Sequence, residues 1–183
     1  MTTKTSDSHP LYVTWIDESL PGKVGLTFAP GKHCAGAYAG GFWERDLAKD
    51  LDHLVAAYDT GLLVCLLQDH ELRSLQIPTL IEEASKRMMV RRRPIPDGGV
   101  LPDPRPVLET VLAIEEAARA GTNVVIHCRG GLGRAGTIGG CYLKHIGRND
   151  EEVFTALRKR HPTSCPETSD QRAFVRAFSS SQE

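Results

Sequence analysis

The stretch VVIHCRGGLGRAGTIGG, residues 124–140, places a thiol and an arginine six positions apart, Cys128 and Arg134, with Gly130, Gly131 and Gly133 between them. An apolar run leads into it and a helical pattern follows, which predicts a strand, a glycine-rich turn and a helix. Such a junction aims several backbone N–H groups at one point, and the helix N-terminus adds the positive end of its dipole. The glycines permit the backbone angles of a nest and keep side chains out of it. Its natural guest is a tetrahedral oxyanion such as phosphate.

The field that attracts phosphate also stabilises a thiolate. Cysteines so placed titrate at roughly 3.5 to 7.5, against about 8.5 when free. Cys128 is therefore expected to be a nucleophile at neutral pH without a neighbouring base. Arg134 offers a planar fork that matches two equatorial oxygens of a phosphoryl group. The loop amides, from Arg129 through Gly130, Gly131, Leu132 and Gly133, and the Arg134 fork would stabilise the charge that phosphoryl transfer spreads onto those oxygens.

The elements that must hold this loop are legible along the chain. LYVTWID, residues 11–17, reads as a strand. Residues 18–42, with Pro21, Gly22, Pro30, Gly31 and Gly40-Gly41, read as mostly loop. WERDLAKDLDHLVAAYDTG puts Leu47, Leu51, Leu54 and Val55 on one helical face, with Gly61 as its stop. LLVCLL is a continuous apolar run typical of a buried parallel strand. A helix over 78–88, a short strand in MMVRRRP, a loop in PIPDGGVLPDP and a long helix opened by Asp103-Pro104 follow. NVVIH is a second buried strand, the helix after the glycine turn spans 135–146, and helices near 150–160 and 168–178 finish the chain. Alternation of strand and helix predicts an α/β fold, a mostly parallel central sheet flanked by helices. One domain is expected over 1–183, with residues 1–9 and 179–183 as frayed ends.

A net charge of −1 gives no general argument for binding nucleic acid or an anionic membrane. The N-terminal MTTKTSDSHP lacks an apolar core, and no window approaches the roughly 18 apolar residues of a membrane span. A monomer of the cytoplasm is the expectation. The cysteines at 34, 65, 128, 141 and 165 form no CxxC pair and no zinc spacing, so no metal or cofactor is expected. Cys65 and Cys141 read as core residues, Cys34 and Cys165 as loop residues, either of which is an alternative redox partner for Cys128.

His127-Cys128, five residues and Arg134 resemble the signature loop of the cysteine-dependent protein tyrosine and dual-specificity phosphatases. Within that superfamily the chain is most similar to the cyclin-dependent kinase inhibitor 3, or kinase-associated phosphatase, type. The shared features are the N-terminal strand, a Pro30-Gly31-Lys32 turn, the PIPDGG loop and HCRGGLGR. The resemblance runs from about residue 10 to 178. It implies hydrolysis of phosphotyrosine, and by extension phosphoserine or phosphothreonine, in a phosphorylated protein partner. A phosphocysteine forms and water then cleaves it.

The general acid that the resemblance implies is Asp97, on a loop hinged by Gly98 and Gly99; Asp103 is the alternative, although its place suits a helix cap. Gln171 matches a glutamine that positions the hydrolytic water in some relatives, or is a solvated helical side chain. His127 is expected to orient the loop by hydrogen bonding. Most relatives carry Ser or Thr where this chain has Ala135, so breakdown of the phosphocysteine is slow, or Thr137 or a water substitutes. Arg91, Arg92 and Arg93 are either a basic rim for a second phosphate or solvated charges.

Three readings remain open on the sequence: the protein phosphatase, or one acting on a non-protein ester such as a phosphoinositide; a phosphate-recognising module without turnover; and other thiol chemistry such as sulfur transfer or arsenate reduction.

Overall fold

The structure is a computed structural model that describes residues 2–36 and 40–179. Its strands are β1 (Thr3–Lys4), β2 (Thr14–Asp17), β3 (Val24–Thr27), β4 (His33–Ala35), β5 (Phe42–Glu44), β6 (Thr60–Cys65), β7 (Met89–Arg92) and β8 (Asn123–His127). Its helices are α1 (Leu47–Tyr58), α2 (Asp69–Ser74), α3 (Leu80–Ser85), α4 (Arg105–Arg119), α5 (Gly133–His145), α6 (Asp150–Arg158) and α7 (Ser169–Ala177).

The central sheet runs β2-β3-β8-β6-β7. All its pairings are parallel except β2 with β3, as the alternation of strand and helix predicts. Period-2 alternation sends Val24, Leu26, Leu62, Val64, Val124 and Ile126 to one face, where they pack on Val111 and Ile114 of α4, Ile138 of α5, Leu157 of α6 and Val175 of α7. Leu63, Cys65 and Val125 point the other way, onto Leu51 and Leu54 of α1 and Leu80 and Ala84 of α3. A sheet covered on both faces is why LLVCLL and NVVIH are unbroken apolar runs.

The structure refines several of these expectations. The segment 18–42 is mostly loop, as expected, but it also holds two strands that the turn residues conceal: β3, every residue of which is buried, and β4. VGLT is short and carries a glycine, a poor strand former on propensity. A Cβ at Gly25 would stand 2.4 Å from Val13 Cγ1, so the close approach of β2 selects the glycine. Cys34 accordingly lies on β4 and not in a loop.

The N-terminal stretch is not frayed over residues 2–9. β1 pairs with β5, which pairs with β4, in a second, three-stranded sheet; Arg45 Nη1 also donates to the carbonyl of His9 at 2.7 Å. Met1 and residues 180–183 of the expected fray lie outside the described residues.

α1 ends before Gly61. The Asp46 carboxylate caps its start, accepting from the Lys49 amide at 2.9 Å, and Asp59, at φ 48°, turns the chain out. Gly61 belongs to β6, where a Cβ would meet Thr122 Cγ2 at 2.6 Å. Val55, assigned to the buried face, is 38% exposed. Finally, α2 occupies a segment to which the periodicity assigns no helix, and it carries Glu71.

Candidate active site

Cys128 follows β8 directly and α5 begins at Gly133, so the loop sits at the carboxyl end of the parallel strands, where open α/β sheets bind ligands. Each carbonyl of the loop has a partner. That of Cys128 accepts from His127 Nδ1 at 3.2 Å, and that of Arg129 from the Ala29 amide at 3.2 Å and Lys32 Nζ at 3.3 Å. Arg160 donates to Gly130 and Gly131, both at 3.3 Å. The Gly136 amide serves Leu132, and the Thr137 hydroxyl serves Gly133 at 2.8 Å. In a trans peptide the C=O and the next N–H point opposite ways, so tying every carbonyl turns the amides inward. The Gly131 amide lies 3.3 Å from Cys128 Sγ.

Gly131 is the glycine this loop cannot replace: its φ is +73°, and a Cβ would stand 2.3 Å from the Thr27 carbonyl oxygen. Gly133 is packed against Gln171, whereas Gly130 has no positive φ and open space around it. The sequence treats the three alike; the structure separates them.

Arg134 is 1% exposed and held by a partner 63 residues away. Glu71 takes Nη1 at 2.7 Å and Nη2 at 2.8 Å, and Nη1 also reaches the Ile95 carbonyl at 2.9 Å. Burial works against the Glu71 carboxylate, yet the Arg134 hydrogen bonds and the Gln68 amide hold it below its ordinary value. Burial likewise opposes the Arg134 charge, but Glu71, Cys128 and Asp97 raise it above the usual guanidinium range. Nε of Arg134 is buried with no partner. Asp97 lies 3.0 Å from Nη2, on a side chain that is 62% exposed.

The sequence missed Glu71. Its local trace is a capping box, Gln68-x-x-Glu71, which ordinarily signals only a helix start.

His127 is fully buried, and burial pushes it down to about 4, so the ring is neutral. Because a carbonyl only accepts, its Nδ1 carries the proton; Nε2 has no partner. Thr137 directs its hydroxyl to Gly133 and not to the thiol. Gln171 is buried and not a solvated side chain. Its Oε1 accepts from the Thr168 amide at 3.1 Å and its Nε2 donates to the Gly99 carbonyl at 3.3 Å, which ties α7 to the Asp97 loop.

Asp97, Cys128, Arg129, Gly130, Leu132, Gly133 and Arg134 line one cleft of about 420 Å³. Its remaining walls include Lys4, Tyr12, Phe28, Lys32, Trp43 and Arg160, none of which the sequence had marked as site residues. Asp103 is elsewhere, held below its ordinary value by Arg105. The 91–93 arginines are also outside the cleft: Arg92 pairs with Asp69 and Arg93 with Glu109, both at 2.9 Å, while Arg91 reaches the Glu109 carbonyl. Burial pushes Cys65 up to about 11 and Cys165 up to about 12, and raises Cys141 further, so these thiols resist ionisation.

Residues 45–181 match the PTP-SAK family, described as Swiss Army Knife protein, DSP-PTPase phosphatase domain. Cyclin-dependent kinase inhibitor 3 of Sus scrofa is 25% identical over 175 residues, 92% of this chain and 79% of that protein. The structure of kinase associated phosphatase with its catalytic-site cysteine changed to serine superposes with a TM-score of 0.79 at 21% identity, over 93% of this chain and 94% of the other. Tk-PTP in its active form gives a TM-score of 0.69 at 30% identity, over 91% and 95% of the two chains. The fold and the signature loop thus carry the resemblance read from the sequence, and the chain belongs to the PTP-SAK family of dual-specificity, cysteine-dependent phosphatase domains.

Proposed function

We propose that the protein hydrolyses phosphotyrosine, and in the same cleft phosphoserine and phosphothreonine, in a phosphorylated protein, with Cys128 as nucleophile. Sγ attacks phosphorus and the S–P bond forms as the ester P–O bond breaks, while Asp97 gives its proton to the departing oxygen. Water then attacks the phosphocysteine and yields its proton to Asp97; the thiolate leaves and inorganic phosphate is released. Arg134 offers Nε and, once the exposed Asp97 swings to the leaving group, Nη2 to two phosphoryl oxygens, with Glu71 keeping the fork in place. The observation that carries this reading is the loop with all its carbonyls tied from Cys128 to Gly133. The catalytic-site cysteine of kinase associated phosphatase, a protein of the same fold, supports it. The five free cysteines support the reducing cytoplasm as compartment, and a cleft lined by a single chain supports a monomer as working unit.

The test is turnover of p-nitrophenyl phosphate with EDTA present and vanadate as inhibitor. Chelator-resistant, vanadate-sensitive hydrolysis that disappears in Cys128→Ser is expected. Retained turnover in that variant would end the nucleophile assignment, and a wild type that binds vanadate without turnover would point to a recognition module.

A further inference from the structure

Two buried cations line the cleft with no carboxylate in salt-bridge distance of either among the described residues, although Asp97 and Glu167 line the same space. Lys32 is 6% exposed and Arg160 7%. The groups that act electrostatically on Lys32 are Cys34, Cys128, Arg45 and Arg160; those on Arg160 are Tyr12, Cys165 and Cys128. Among the described residues neither cation has an acidic partner, whereas buried charges are ordinarily paired.

Their donors are also underused. Lys32 Nζ makes one long hydrogen bond, to the Arg129 carbonyl at 3.3 Å, and otherwise faces the rings of Phe28 at 4.5 Å and Trp43 at 4.9 Å. Arg160 spends Nε and Nη2 on the loop, while its buried Nη1 has no acceptor in hydrogen-bond geometry; the Tyr12 ring centroid lies 4.5 Å from the guanidinium carbon.

This arrangement is built, not incidental. Lys32 leaves a turn in which Gly31 takes φ +70° and donates its amide to Asp50 Oδ2 at 2.8 Å. Arg45 grips the same buried carboxylate at 2.7 and 2.8 Å. One buried ion pair thus fixes the backbone from which the lysine enters the cleft. Burial, with the neighbouring arginines, pushes Lys32 down to about 8 against the opposing pull of Cys34 and Cys128.

We propose that Lys32 and Arg160 form a second anion subsite beside Cys128, giving the cleft a further substrate class: small polyols that carry a second phosphate close to the one being removed. The inference rests on Cys128 and its loop being the site of the scissile phosphate, and goes beyond the phosphoprotein reading. Both cations line the same cleft of about 420 Å³ as the thiol and both feel its charge, so a second anion held by them stands close to the first. A phosphopeptide would carry its second phosphate out to the rim, where Arg129 is exposed. A compact ring with phosphates on nearby carbons reaches both points at once.

The experiment compares binding of myo-inositol monophosphate and bisphosphates to Cys128→Ser by calorimetry, then repeats it with Lys32→Gln, Lys32→Arg or Arg160→Gln added. The bisphosphate is expected to bind at least tenfold more tightly than the monophosphate. That preference should vanish with Lys32→Gln and survive Lys32→Arg. Equal affinity for the two ligands, which needs no folded subsite variant, overturns the proposal, as does a preference that persists in both the glutamine variants. In wild-type enzyme, the ratio of kcat/KM for bisphosphate over p-nitrophenyl phosphate should fall at least tenfold with Lys32→Gln.

Phosphatidylinositol bisphosphate in phosphatidylcholine vesicles, run beside the soluble bisphosphate, separates a lipid headgroup from a free polyol; preference in either arm supports the subsite. Tighter binding of a doubly phosphorylated peptide than of any bisphosphate overturns the polyol assignment. Failure of p-nitrophenyl phosphate turnover bears on the nucleophile alone, because the binding comparison is made in the inactive variant.

Discussion

Glu71 holds Arg134 through both carboxylate oxygens, at 2.7 and 2.8 Å, across 63 residues of chain. The pair is almost wholly buried, and removing one partner of such a pair costs on the order of 3–5 kcal/mol. It also loosens the guanidinium against the phosphoryl group, and a misplacement of about 1 Å costs roughly 100-fold in rate. Glu71→Gln is therefore expected to lower kcat on p-nitrophenyl phosphate about 100-fold and to reduce the Tm. An unchanged kcat would show that Arg134 keeps its position without the carboxylate.

Asp97 and Asp103 separate cleanly by variant kinetics. Asp97 reaches Arg134 in the cleft, whereas Asp103 is engaged with Arg105 outside it. General acid–base catalysis contributes about 10²–10⁴-fold, so Asp97→Asn should lower kcat within that range. Asp103→Asn should change it less than twofold. The reverse result would transfer the proton to Asp103.

Ala135 leaves the departing thiolate without a neighbouring hydroxyl, and the Thr137 hydroxyl is occupied with the Gly133 carbonyl. Phosphocysteine breakdown is therefore expected to limit the rate. In single-turnover quench experiments Ala135→Ser should speed dephosphorylation several-fold without changing the burst. No change there would mean that another group already serves the leaving sulfur.

Gly131→Ala would bring a Cβ to 2.3 Å from the Thr27 oxygen at a positive φ, a clash that only movement of the backbone relieves. Thermal melts should show a large loss of stability for Gly131→Ala and a Tm within a few degrees of wild type for Gly130→Ala. Similar melts for the two would contradict the backbone described for this loop.

His127 sets a pH dependence of stability. The folded chain binds its proton only near pH 4, the unfolded chain near 6.5. Between these values the unfolded state holds more protons, so stability is full above about pH 6.5 and declines as pH falls toward 4, by an amount on the order of a few kcal/mol. Tm measured from pH 7.5 to 4.5 should fall more steeply in wild type than in His127→Asn. Parallel slopes would show that the histidine is not what titrates.

The parts of this molecule that the sequence reveals are those with local grammar. LLVCLL and NVVIH announce buried parallel strands because both faces of the sheet are covered, and HCRGGLGR announces its loop because few other functions need those residue types together. β3 was hidden because it is only four residues long and one of them, Gly25, is required by the close approach of Val13 and Trp15 and lowers its strand propensity. Glu71, Lys32 and Arg160 were hidden for a related reason: each acquires its role from a partner brought near by folding. An acidic residue in a capping box, a lysine after a turn and an arginine after a helix look ordinary until the loop they serve is in place.

The family match begins at residue 45, yet Lys4, Tyr12, Phe28, Lys32 and Trp43 all precede it and all line the cleft. The stretch before the match thus adds one wall to a cleft whose other wall, Asp97, Arg129, Leu132 and Arg160 among it, lies within the match. In the mechanism proposed above, the later stretch supplies the thiol, the acid and the arginine. The earlier one adds a collar of aromatic and cationic side chains around the same space. Exchanging the collar between relatives is a way to redirect such an enzyme provided that Ala29 and Lys32, which hold the Arg129 carbonyl, stay where they are.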